Sequence, residues 1–141
     1  MKNTMLEMTR YAALARQAVA EGVVLLKNEA VLPLAPGGRA ALFGYAQFHY
    51  YKSGTGSGGL VNVTHVPNLP EILGGDGGYR LDAEVQARYA AWLADHPYEM
   101  GTGWAQEPWF QPEMPLDEEF VRAAAQRADT CLLYTSPSPR D

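Results

Sequence analysis

Apolar positions along the chain follow different rhythms, and each change of rhythm marks a change of element. From Thr9 onward, Tyr11, Leu14, Ala15, Ala18 and Val19 recur at helical spacing. The pattern predicts a helix capped by Thr9 and ended by Gly22. The continuous run Val23-Val24-Leu25-Leu26 then reads as a strand, and Lys27-Asn28-Glu29 as a turn. Val31-Leu32-Pro33-Leu34 fits a returning edge segment, where a proline interrupts no ladder bond. Pro36-Gly37-Gly38 turns the chain into Ala40-Ala41-Leu42-Phe43, a short run stopped by Gly44 and predicted to be a buried strand of a parallel sheet.

The second half is more helical. A short helix is predicted from Pro70, tolerated in a first turn, ending before Gly74. Asp82 caps a longer one whose stripe is Val85, Tyr89, Trp92 and Leu93, with Pro97 just past its end. Residues 98–115 carry Trp104, Trp109, Phe110 and three prolines, and so long a connection points to function or an interface. Asp117 caps the last helix, Glu118 and Glu119 suit its first turn, and Phe120, Val121, Ala124 and Ala125 are its apolar positions. Cys131-Leu132-Leu133-Tyr134 begins a second parallel strand, with helix 117–127 as a right-handed crossover. The fold class expected is α/β, a truncated and mostly parallel sheet flanked by helices.

Between the central strand and the second half lies the stretch with chemistry. Three tyrosines, a phenylalanine and a histidine crowd residues 45–51, and Gly54-Thr55-Gly56-Ser57-Gly58-Gly59 follows. In open α/β sheets, ligands bind beyond the carboxyl ends of the strands. Gly54, Gly56 and Gly59 have the spacing of a dinucleotide fingerprint, which needs a strand running straight in and a helix opening from it. Here ten residues separate Phe43 from Gly54, Leu60-Val61-Asn62-Val63 looks extended, and the nearest acid for a ribose, Asp76, sits in a glycine turn. A flexible surface loop is the plain alternative. Lys52, Ser53, Thr55 and Ser57 make a dense row of donors beside aromatic rings, a combination suited to a polyhydroxylated ligand.

Bulk properties narrow the field. A chain of 141 residues fits one domain, and 47% hydrophobic with 19% charged residues is ordinary for a soluble globular protein. A formal charge of −5 argues against nucleic acid. No apolar window reaches membrane-helix length and the first residues lack a secretory core. Cys131 is the only cysteine, so no internal disulfide forms, and cytoplasm is the expected compartment. It is expected to be a small buried strand residue. His49, His65 and His96 have no ligand spacing, and neither a metal nor a cofactor is expected.

Several segments together resemble one family. Residues 15–29, including Val24-Leu25-Leu26-Lys27-Asn28, then Leu32-Pro33-Leu34 and Ala41-Leu42-Phe43-Gly44, are similar to the opening of the α/β sandwich domain of family-three glycoside hydrolases. Tyr50-Tyr51-Lys52-Ser53-Gly54-Thr55-Gly56-Ser57-Gly58-Gly59 and Pro112-Glu113-Met114-Pro115 extend the match, which covers residues 10–130. The near start resembles the subgroup with the sandwich first and the barrel last. The resemblance implies a parent that hydrolyses terminal β-linked sugars with retention, through an aspartate on the barrel and a glutamate acid/base. Neither carboxylate maps onto this chain. What carries over is a substrate-binding wall of Lys52, Ser53, Gly54, Thr55, Gly56 and Ser57, facing the missing barrel domain of the same protein. The expected ligand is a small carbohydrate. Residues 1–131 are assigned to the partial sandwich domain.

Leu132 to Asp141 resembles translated adapter sequence at the ends of truncated metagenomic reads, with a natural disordered tail as the alternative. It is expected to pack poorly, since Pro137 and Pro139 cannot donate to a ladder. Glu113, Asp117, Glu118 and Glu119 are the one acidic cluster, and three of them suit a helix start. Trp104, Trp109 and Phe110 suit packing or sugar stacking. A stand-alone, non-catalytic α/β module binding a sugar or nucleotide through its glycine loop is the competing reading.

Overall fold

The computed structural model describes residues 8–50, 63, 65–99, 101–102, 106, 108 and 110–134. They divide into two units, residues 1–33 and 34–141. In the first, helix α1 spans Met8–Gly22, so Thr9 lies in its first turn and does not cap it. Tyr11, Leu14 and Val19 are exposed. The strand expected at 23–26 does not form: these residues are irregular, and Leu26 is 92% exposed. A strand needs ladder partners as well as β-branched composition. The returning edge segment is absent too, because Asn28 closes the chain locally. Its Oδ1 accepts the N–H groups of Val31 and Leu32, each at 3.0 Å, and its Nδ2 donates to the Leu32 carbonyl at 2.8 Å.

The second unit is the α/β layer that the sequence predicts. Its strands are β1 (Arg39–Phe43), β2 (Arg80–Leu81) and β3 (Thr130–Leu133), all parallel and ordered β2-β1-β3. Ala40 to Phe43 are all buried, so both faces of β1 are covered, as a central parallel strand requires. Strand β2 lies just before the helix that Asp82 caps, where the sequence predicts no strand; two residues are too few to show a period. On the other side, Ala41 pairs with Cys131 and Phe43 with Leu133. Cys131 is exposed on this strand, contrary to expectation. Among the described residues β3 has β1 on one side and no strand on the other, so its side chains alternate between half-buried and exposed. The ladder continues through Leu132 and Leu133, past the division drawn after residue 131, and residues 135–141 lie outside the described residues.

Each α-helix described in this unit starts on a side-chain cap. Asn68 accepts the Glu71 N–H for α2 (Leu69–Gly74), with Pro70 in its first turn. Asp82 accepts the Val85 N–H for α3 (Ala83–Asp95), and Asp117 the Phe120 N–H for α4 (Glu118–Arg127). Such caps satisfy donors that the helix itself leaves free. Val85 and Tyr89 of α3 join Ala41 and Phe43 of β1, Phe120 and Ala124 of α4, and Met114 in one core. Val121 and Ala125 face outward. The rings of Phe43 and Phe120 meet edge to face at 6.3 Å, a geometry worth about 1 kcal/mol beyond burial. Arg127 joins the two helices, its Nε donating to Asp82 Oδ2 at 2.8 Å and its Nη2 to Oδ1 at 3.1 Å.

Candidate functional site

The site begins where β1 ends. In strand β1 alternate residues turn their backbone groups to opposite neighbours. Toward β2, the Gly38 and Ala40 carbonyls accept the N–H groups of Arg80 and Asp82, each at 2.9 Å. Strand β2 stops there, and the next groups on that side are met by side chains. Gln47, fully buried, donates through Nε2 to the Leu42 carbonyl at 2.9 Å and accepts from Gln86 Nε2 at 3.2 Å. Tyr89, from the core face of α3, accepts the Gly44 N–H at 2.7 Å.

Gly44 bends the chain. Its φ of 99° belongs to a region that side-chain-bearing residues avoid, and a Cβ there would lie 1.8 Å from the Tyr134 carbonyl oxygen. The bend leads into a short 3-10 turn, Tyr45–Gln47, with all three residues buried. Glu113 Oε2 accepts the Tyr45 N–H at 2.7 Å. Burial pushes the Glu113 carboxyl above its ordinary range, and the Tyr45 N–H pulls partly the other way. Burial likewise raises the Tyr89 phenol.

Glu113 belongs to an irregular segment whose neighbours are also held. Gln111, buried, donates through Nε2 to the Glu99 carbonyl at 2.9 Å and accepts the Glu99 N–H on Oε1 at 3.1 Å. Met114 is in the core. Part of the long connection 98–115 is therefore packed structure. Beside it, Tyr45, His49 and Tyr98 stack with interplanar angles of 16–21°. Trp92 meets Tyr45 edge-on at 6.1 Å, and His96 stacks on Trp92 at 4.3 Å. Burial lowers the His49 imidazole from its ordinary value.

The predicted wall residues Lys52, Ser53, Gly54, Thr55, Gly56 and Ser57 lie outside the described residues, as do Trp104 and Trp109. Phe110 is 73% exposed. The acidic cluster disperses: Glu113 turns to Tyr45, Asp117 caps α4 and pairs with Arg88, and Glu118 pairs with Arg122. Sequence reasoning placed Tyr89 on the apolar stripe of its helix but missed its hydrogen bond to Gly44, and it missed Gln111 and the Tyr45–His49–Tyr98 grouping. Among the described residues no three His, Cys, Asp or Glu side chains could jointly hold a metal ion, and no helix is long and apolar enough to cross a membrane.

Comparison with known proteins points one way. No protein-family model matches the chain. It is 45% identical over 127 residues to a beta-glucosidase of Ruminococcus albus, and 36% identical over 132 residues to beta-glucosidase A of Butyrivibrio fibrisolvens. Each match takes in 90% of this chain, which spans only 13% and 15% of those relatives. Among solved structures, a beta-glucosidase from Paenibacillus barengoltzii superposes with a TM-score of 0.80 at 41% identity, over 94% of this chain and 14% of that one. Beta-glucosidase 3B from Thermotoga neapolitana, in complex with glucose, gives 0.76 at 27% identity, over 94% and 19%. The resemblance drawn from the residues holds: all four are beta-glucosidases, and the chain matches a small part of each.

Proposed function

We infer that this chain is a piece of a β-glucosidase-like glycoside hydrolase of family three, and that it contributes one wall of a sugar pocket without either catalytic carboxylate. The 45% identity to the Ruminococcus enzyme across nearly the whole chain carries this reading. The parent acts on a terminal β-linked sugar with retention. Its nucleophile and acid/base, about 5 Å apart in retaining enzymes, come from regions that these residues do not match. The wall consists of Lys52, Ser53, Gly54, Thr55, Gly56 and Ser57, whose donors and close-approaching backbone suit sugar hydroxyls. Its partners are a small carbohydrate and the barrel domain of the same polypeptide, in the cytoplasm.

A graft tests this directly. Residues 10–130 of this chain replace the matching stretch of the Paenibacillus enzyme, and hydrolysis of nitrophenyl β-glucoside is followed. The reading expects a folded, active chimera whose KM rises when Lys52 or Ser53 becomes alanine. A folded chimera that binds no glucoside overturns it.

A further inference from the structure

We propose that the exposed face of His49, backed by Tyr98 and Tyr45, is a stacking subsite for the apolar face of a pyranose ring, assembled by Gln111 and Glu113. This rests on the carbohydrate reading above and adds residues that it does not include.

The geometry starts from the irregular segment that carries Gln111 and Glu113, each of which fastens backbone next to an aromatic ring. Gln111 binds both backbone groups of Glu99, adjacent to Tyr98. Glu113 binds the N–H of Tyr45 itself. The two tyrosine rings are thereby set 6.1 Å apart and 16° from parallel. His49 lies against both, at 5.4 Å from Tyr45 and 4.9 Å from Tyr98. The Tyr45–Tyr98 distance is far too short for a three-ring column with His49 in the middle. Both tyrosines lie against His49, and His49 is exposed.

Chemistry and location agree with a sugar. A pyranose has one face lined by C–H groups, which packs on a flat uncharged ring, and hydroxyls at its rim that stay hydrated. Burial lowers the His49 imidazole and so favours its uncharged form, whose face carries no cationic hydration shell. Tyr45 is itself braced by Trp92, so the rings cannot swing apart without disturbing the core. The group stands at the carboxyl end of β1, where α/β sheets place ligands.

The test titrates the 141-residue chain with methyl β-glucoside and follows ring and amide resonances by NMR. The expected result is a saturable shift of the His49 and Tyr98 ring signals, with magnetisation passing to the sugar's ring C–H protons. His49→Ala, at an exposed position, should weaken binding about tenfold while the circular dichroism stays that of the parent. Glu113→Ala should weaken it too, and Glu113→Gln, which keeps an acceptor for Tyr45, should restore it. Unmoved ring signals, or His49→Ala binding like the parent, overturn the subsite. Shifts confined to the amides of Lys52 to Ser57 sink it while leaving the pocket-wall reading intact. Shifts confined to the rings do the reverse.

Discussion

Tyr89 Oη accepts the Gly44 N–H at 2.7 Å in a fully buried setting, so a side chain of α3 takes the place of a strand where β2 ends. Backbone groups buried beside a truncated strand have to be satisfied by something. Here the substitute also fixes the direction in which the chain leaves the central strand.

Tyr89→Phe removes the acceptor and keeps the ring packing. The buried Gly44 donor is then unpaired, a loss of about 1–3 kcal/mol. Urea unfolding should show the midpoint falling with the slope unchanged, and a midpoint equal to the parent's would rule out the substitute-strand role.

Gly44→Ala meets two penalties at once, the positive φ and the Tyr134 carbonyl 1.8 Å from the added carbon. The expected destabilisation is about 3 kcal/mol or more. Gly37→Ala is the control: its φ is also positive, but the added carbon meets nothing within 4 Å, so the smaller loss isolates the clash.

The two kinds of carboxyl give opposite pH dependence. Burial raises Glu113, so the folded state holds its proton more tightly than the unfolded chain does. Its favourable contribution is complete below the unfolded pKa and disappears as pH rises through the folded one. Glu113→Gln, permanently neutral, should therefore be more stable than the parent at neutral pH, and the two stability curves should converge in acid. Curves that stay parallel from pH 4 to 8 would contradict the assignment.

Asp82 runs the other way. The Arg127 hydrogen bonds hold its carboxyl below the usual range, helped by the Val85 N–H. Its contribution is present above the unfolded pKa and is lost as pH falls through the folded one. Asp82→Ala should lose the cap, worth about 1 kcal/mol, together with the Arg127 tie, and should flatten the acid limb of the thermal-stability profile. An unchanged acid limb would mean that the Arg127 tie is not what lowers Asp82.

The isolated chain is expected to leave nitrophenyl β-glucoside and β-xyloside uncut beside an active full-length relative. Turnover that follows the pure chain and vanishes in Glu113→Ala or Asp117→Ala would move the active site into these residues.

Much of this architecture was decided locally and is legible in the order of residues. The apolar run Ala40 to Phe43, the caps Asn68, Asp82 and Asp117, and the core positions Val85 and Tyr89 each depend on neighbours a few residues away. The strings around residues 24–28 and 50–59 pointed to glycoside hydrolases for the same reason, since a contiguous motif needs no fold to be seen. Tertiary structure decided what depended on distant partners. Val23 to Leu26 had a strand's composition but found no ladder. Arg80 and Leu81 became a strand only because β1 offered Arg39 and Ala40 in register. Cys131 stayed exposed because β3 is paired along one side alone among the described residues. The Glu113–Tyr45 and Tyr89–Gly44 hydrogen bonds span 68 and 45 positions. Nothing local marks such contacts, because a backbone donor left by a truncated strand has no signature in sequence until folding brings its acceptor within reach.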